Sequence, residues 1–137
     1  MDKLAEHLRQ YNATLAKDYC PHASYYESMD FVEYITRDVT TVSDRIDEFL
    51  TLIWDSNFDE VVGFRLKGFK FIFNEYLKPT LQLRDSHFVP LVSVLEAVAR
   101  TIGNALFEEE NRERAYRKAM RLAERNEARL TDLPLAA

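Results

Sequence analysis

The sequence is poor in the residues that staple, kink or interrupt a chain. Among 137 residues there are one cysteine, Cys20, three glycines and four prolines. A single thiol excludes an intrachain disulfide and any zinc site built on paired cysteines. With so little Gly and Pro, disorder is expected only near the ends. No stretch approaches the ~18 consecutive apolar residues of a membrane span. The opening residues, Met1 to His7, are polar and amphipathic, unlike a secretory leader. Positive charge is not in excess either: 18 Lys and Arg stand against 23 Asp and Glu, a net charge of −5. That balance removes the diffuse attraction to phosphate backbones and anionic bilayers. Together these features predict a cytoplasmic protein with no membrane partner and no general affinity for nucleic acid. They identify no cofactor.

Apolar residues make up 47% of the chain and aromatics 12%, enough for one ordinary core at this length. Leu4, Leu8, Tyr11 and Leu15 alternate by four and three, predicting a helix over 2–17. Residues 22–30 read as a connection. Phe31 to Thr36 is rich in β-branched and aromatic residues, a candidate strand that Val39 to Val42 would extend. Ile46 to Trp54 reads as a strand with Leu50, Leu52 and Trp54 on one face. Asp55 to Asp59 is turn chemistry. In Glu60 to Gly68, Val62, Phe64 and Leu66 then alternate with Gly63, Arg65 and Lys67. Phe69, Ile72, Phe73, Tyr76 and Leu77 predict a short helix over 69–77, closed by Pro79, with a linker over 78–84.

Asp85 and Ser86 are good helix caps, and an apolar stripe runs from Phe88 to Leu106. Helix formers continue beyond it, with Glu108/Arg112, Glu110/Arg114 and Glu113/Arg117 spaced four apart. The fold expected is therefore α+β. A small antiparallel sheet (hairpin 45–68 plus a third strand 31–36) is packed by an N-terminal helix, a short helix 69–77 and a long C-terminal helix 87–129. The organisation expected is a domain over 1–107, a charged helical extension over 108–130 and a frayed tail over 131–137. Gly103 marks the one candidate bend.

Chemistry-bearing residues are few. Cys20 and His22, with His7, would be a thiol–imidazole or metal constellation, and His87 follows a helix cap. Each reads more simply as an ordinary structural or surface residue. Glu108, Glu109, Glu110 and Glu113 lack the Glu-x-x-His partner that bundle metal sites use, and read as a solvated helix face. No catalytic residue and no metal ligand is therefore assigned. His22, Tyr25, Tyr26 and Arg65 are the candidate ligand-binding residues, in a pocket between the hairpin and the helices. In the last helix, Arg112, Arg114, Arg117, Lys118, Arg121, Arg125 and Arg129 face six acids, leaving about +1 over 104–130, unlike a basic DNA-gripping arm. Its sparse seam of Tyr116, Ala119, Met120 and Ala123 is the candidate interface. The function expected is a non-catalytic interaction or assembly module forming a homo-oligomer. The alternative is a small-molecule binding protein or enzyme using the pocket.

Overall fold

In a computed structural model, the protein is described over residues 21–78 and 89–131. The expected helix at 2–17, Cys20, Pro79, His87 and the helix caps at 85–86 lie outside the described residues. The α+β class holds, but the sheet is larger than the sequence reading allowed. Five strands, β1 (His22–Tyr26), β2 (Phe31–Ile35), β3 (Thr41–Arg45), β4 (Leu50–Asp55) and β5 (Val61–Lys67), pair antiparallel throughout in the order β1-β2-β5-β4-β3. The meander β3-β4-β5 returns to lie beside β2, a Greek-key arrangement.

Two corrections concern the outer strands. Residues 22–26 form the edge strand β1, paired residue for residue with β2. Thr41 and Val42 do not extend β2; they begin β3 at the opposite edge. The expected strand from Ile46 to Trp54 is broken in its first half by Asp47. The Oδ1 atom of Asp47 accepts the backbone N–H groups of Phe49 (2.8 Å) and Leu50 (2.7 Å). This side-chain-to-backbone bonding favours a turn over a ladder. The second turn behaves as its composition predicts. Asp55 Oδ1 accepts N–H groups from Asp59 (2.8 Å) and Glu60 (3.3 Å). Its left-handed residue, however, is Phe58 (φ 59°).

The alternation in β4 and β5 places one apolar face under the helices. Val32 opposes Leu66, which opposes Leu50; Tyr34 opposes Phe64, which opposes Leu52. All six are at most 2% exposed. They form one core with Phe69 and Ile72 of helix α1 (Phe69–Ile72) and with Phe73 and Leu77 of the π-turn that follows. The short helix expected over 69–77 is thus present as these two pieces. Gly68 precedes it at φ 72°, a conformation cheap only for glycine. Asp30 anchors the joint: its backbone oxygen accepts the Gly68 N–H (3.0 Å). Its Oδ1 accepts the Lys70 N–H (3.0 Å) and the Tyr25 hydroxyl (2.8 Å).

The single long helix 87–129 does not form. Helix α2 (Leu91–Ile102) ends at Gly103, which adopts φ 67° and ψ −140° and leads into a 3-10 turn over Gly103–Phe107. The backbone is extended again at Glu109, and helix α3 (Glu110–Arg125) starts afresh. Helix propensity is high on both sides of the break, but a left-handed glycine stops α-helical hydrogen bonding whatever its neighbours prefer. Helix α3 packs on α2, β4 and β5, and Ala115, Tyr116, Ala119, Leu122 and Ala123 belong to the same core as the sheet. Small residues at 115, 119 and 123 let the helix approach closely. Glu127, at φ 50°, turns the chain again. The short strands β6 (Val89–Pro90) and β7 (Arg129–Leu130) then pair, tying the end of α3 to the start of α2. No described helix is long and apolar enough to cross a membrane.

Candidate functional site

Asp47 fixes where α3 sits. While its Oδ1 holds the β3–β4 turn, its Oδ2 accepts Arg112 Nε (2.8 Å) and the Tyr116 hydroxyl (2.8 Å) from the first turns of α3. The carboxylate is 7% exposed and the Arg112 side chain 16%. Burial pushes the Tyr116 hydroxyl well above its usual range, and the hydrogen bond and charge of Asp47 push it further. For Arg112, burial acts to lower the pKa; the hydrogen bond and charge of Asp47 outweigh it, and the guanidinium is raised. This knot holds the start of α3 against the outer strands and leaves the rest of the helix standing over Trp54.

Two clefts open there and meet at Trp54 and Lys118. The inner one, about 360 Å³, lies between α3 and the β3–β4 edge. Ile46, Leu52, Trp54 and Ala115 give it an apolar wall; Asp44 and Arg45 stand on the strand side. Asp44 is in register with Leu52, hence on the helix-covered face of the sheet. The outer cleft, about 350 Å³, lies between α3 and the β4–β5 turn, with Asp59, Glu60 and Val61 on one side and Lys118, Arg121 and Arg125 on the other. Both volumes are at the small end of the ~300–1,000 Å³ typical of ligand pockets.

Charge is distributed unevenly along α3. In its first half Arg112 is held by Asp47, Arg114 by Glu110 and Arg117 by Glu113. Lys118, Arg121 and Arg125, spaced three and four apart on one helix face, have no acidic partner within ion-pair distance among the described residues. Lys118 Nζ lies 4.7 Å from the centre of the Trp54 ring, a cation–π contact. On the facing wall, Glu60 is engaged by Arg37 at 2.8 Å. Trp54 is half-buried and tilted against Phe58, with ring centres 6.0 Å apart. Its buried indole Nε1–H has no hydrogen-bond partner among the described residues. A buried donor left unsatisfied costs about 1–3 kcal/mol.

The four residues proposed from sequence as a ligand pocket are not brought together. Arg65 donates to Glu33 Oε2 from Nε (3.1 Å) and Nη2 (2.6 Å), and its guanidinium lies 4.9 Å from the Phe31 ring centre. Tyr26 stacks on that same ring at 4.7 Å. Tyr25 points to the opposite face of the sheet, bonded to Asp30 and packed on Phe69. Burial raises its hydroxyl pKa first, and the Asp30 hydrogen bond adds to the effect. His22 is at the far end of β1 from Tyr26, about 13 Å away at the usual rise per residue, in a separate cleft with Asn126 to Arg129. Of the expected interface residues, Tyr116, Ala119 and Ala123 are at most 1% exposed inside the chain's own core, and Met120 is partly covered. No group of three or more potential metal-ligating side chains occurs among the described residues.

Sequence reasoning missed Asp47 and the Lys118–Arg121–Arg125 row as a site. The row itself was visible, because three cations at helical spacing share a face. Summing charge over 104–130 hid it, since the acids cluster in the first half of α3 and the unpaired bases in the second. No protein-family model matches the chain, and no curated protein or solved structure is significantly similar to it.

Proposed function

We propose that this protein is a ligand-binding module whose working surface is the pair of clefts under α3, and that its ligand is anionic. The observation that carries this reading is the row Lys118, Arg121 and Arg125, three cations on one wall of a cleft without acidic partners among the described residues. Elsewhere on the same helix the bases are neutralised by neighbours. Hydrogen bonds between charged groups are stronger than neutral ones. The helix dipole favours a cation in the last turn of α3, where Arg125 stands. That effect does not reach Lys118 and does not explain the convergence of the row on a cleft.

The test is thermal unfolding with added inorganic pyrophosphate. A ligand specific for the folded state, at about 100 times its Kd, adds about 2.7 kcal/mol of stability, which raises Tm by several degrees. The gain should shrink as sodium chloride rises and vanish in Arg121→Glu/Arg125→Glu. The off-cleft charge reversal Arg100→Glu should retain it. A gain that survives the double reversal would remove the cleft from the account.

Self-association is a second reading, favoured by one observation. Tyr26 (45% exposed), Met29 (65%), Phe71 (55%) and Tyr76 (36%) are large exposed apolar side chains. They lie around the joint that Asp30 makes between the β1–β2 turn and α1, and Phe71 and Tyr76 are in edge-to-face ring contact. Clustered apolar exposure of this kind marks partner surfaces. Light scattering across a concentration series should then show a dimer that Met29→Glu/Phe71→Glu converts to a folded monomer. A monomer at every concentration rejects this reading without touching the first.

A further inference from the structure

We infer that the ligand of the α3 clefts is a nucleoside phosphate, its ring in the inner cleft against Trp54 and its phosphates in the outer cleft beside Arg121 and Arg125. This rests on the anion-binding reading above and narrows it to a chemical class.

The two clefts differ in chemistry, and they join. The inner one offers Trp54 and Ile46, beside Leu52 and Ala115 that are at most 3% exposed, with a carboxylate acceptor, Asp44, and further polar lining from Arg45, Asn111, Arg112 and Arg114. At the junction is the half-buried Trp54 ring, with Lys118 Nζ over it. The outer cleft offers three cations, Lys118, Arg121 and Arg125, across from Asp59 and from Glu60, which Arg37 engages. A bare inorganic anion would satisfy the cations but leave the Trp54 ring unused. An uncharged aromatic compound would cover that ring and leave Lys118, Arg121 and Arg125 without a counter-charge. A flat ring bearing hydrogen-bond acceptors and donors, with a phosphate tail, uses both halves. The ring stacks on the Trp54 face and a ring amino group donates to Asp44. Lys118 sits between the halves. Its Nζ covers the Trp54 ring at 4.7 Å, and it would exchange that contact for a phosphate oxygen as the ring comes in.

A single strand of nucleic acid presents the same base-plus-phosphate chemistry. The net charge of −5 opposes a long polyanion, and two clefts of about 360 and 350 Å³ suit one nucleotide. The free nucleotide is therefore the ligand argued for.

Isothermal titration of the full chain tests this with ATP, GTP, CTP and UTP, inorganic triphosphate, adenosine and an oligothymidylate. At least one nucleotide should bind one per chain, roughly tenfold or more tighter than triphosphate, in line with the usual gain from base–aromatic stacking. Adenosine should bind at least tenfold more weakly than the nucleotide. Trp54 is the only tryptophan, so saturable quenching of indole fluorescence should accompany binding in the wild-type protein. Lys118→Ala, at an exposed position, should weaken the nucleotide without unfolding the chain. Triphosphate binding as tightly as every nucleotide would overturn the nucleoside inference and leave the anion reading standing. No binding by nucleotides or triphosphate would overturn both. An oligothymidylate more than tenfold tighter than any free nucleotide would overturn the free nucleotide in favour of a strand.

Discussion

Asp47→Ala should lower the stability of the protein by about 3–5 kcal/mol, the usual cost of removing one partner of a buried ion pair. Four donors converge on this carboxylate: the N–H groups of Phe49 and Leu50, Arg112 Nε and the Tyr116 hydroxyl, all at 2.7–2.8 Å. Alanine would strand a guanidinium that is only 16% exposed and a hydroxyl on a residue that is 1% exposed. The β3–β4 turn would lose its internal acceptor at the same time. Asp47→Asn keeps an oxygen for the turn but presents an amide where Arg112 needs an anion, and should cost about 1–3 kcal/mol. Tyr116→Phe removes one donor and should cost about 1 kcal/mol. Urea unfolding followed by circular dichroism would check this order, Ala above Asn above Tyr116→Phe. An Asp47→Ala loss under about 1 kcal/mol, the level of an exposed pair, would mean that the knot does not hold α3 down.

Gly63→Ala should be at least as damaging, about 3 kcal/mol or more, although it adds one methyl group. A Cβ built on Gly63 would stand 2.2 Å from the Tyr34 carbonyl oxygen and 3.1 Å from Ile35 Cα. Both obstacles are backbone of the neighbouring strand β2, so no side-chain rotation relieves them, and moving the strand breaks its ladder with β5. The position adjoins the register shift at Ile53 and Trp54, where bulged strands bend and backbones crowd. Gly103→Ala provides the contrast. Open space surrounds that position, and only its backbone conformation, φ 67° and ψ −140°, resists a side chain, so about 1–3 kcal/mol is expected. Comparing the two variants by urea unfolding separates close approach from backbone conformation. Equal losses would contradict this account of Gly63.

The parts of the fold that were legible are those in which local pattern and tertiary position agree. Val62 to Lys67 alternates because one face of β5 is covered. The turn at Asp55 was legible because its aspartate bonds its own backbone. Phe69 to Leu77 was legible because its stripe has helical spacing. Strand β1 was missed because His22, Ala23, Ser24, Tyr25 and Tyr26 form an edge with no fully buried residue, so no hydrophobic alternation marks it. Strand β3 was missed because neither a propensity nor a periodicity states that residues 36–40 carry the chain across to the other edge of the sheet. The long helix was overextended because Glu, Arg and Ala favour helix on both sides of Gly103, and only φ at that residue records the break. The alanine seam of α3 looked sparse because alanine buries little area, yet small residues permit close packing.

The candidate site was less legible than the fold. Trp54 was placed correctly on the strand, but nothing in one dimension brings residue 54 under residue 118. That juxtaposition depends on Asp47 reaching Arg112 and Tyr116 across 65 and 69 residues. The Lys118–Arg121–Arg125 row could be read as helical spacing. Its lack of acidic partners could not, because pairing is decided by which acids share its surroundings. Arg65 illustrates the converse. It looked available from sequence, yet Glu33 and Phe31 on the adjacent strand occupy it.

The claim that the α3 clefts are the working surface is tested most directly by the Trp54 indole N–H resonance during a pyrophosphate titration of the isotopically labelled protein. With one tryptophan in the chain, that signal is unambiguous and reports from the junction of the two clefts. A progressive, saturable shift is predicted, with the Arg121 and Arg125 side-chain signals moving at the same concentrations and Arg121→Glu/Arg125→Glu abolishing all three responses. An indole signal that stays fixed while other resonances titrate, or while the protein is stabilised by the anion, would place binding elsewhere and contradict the account.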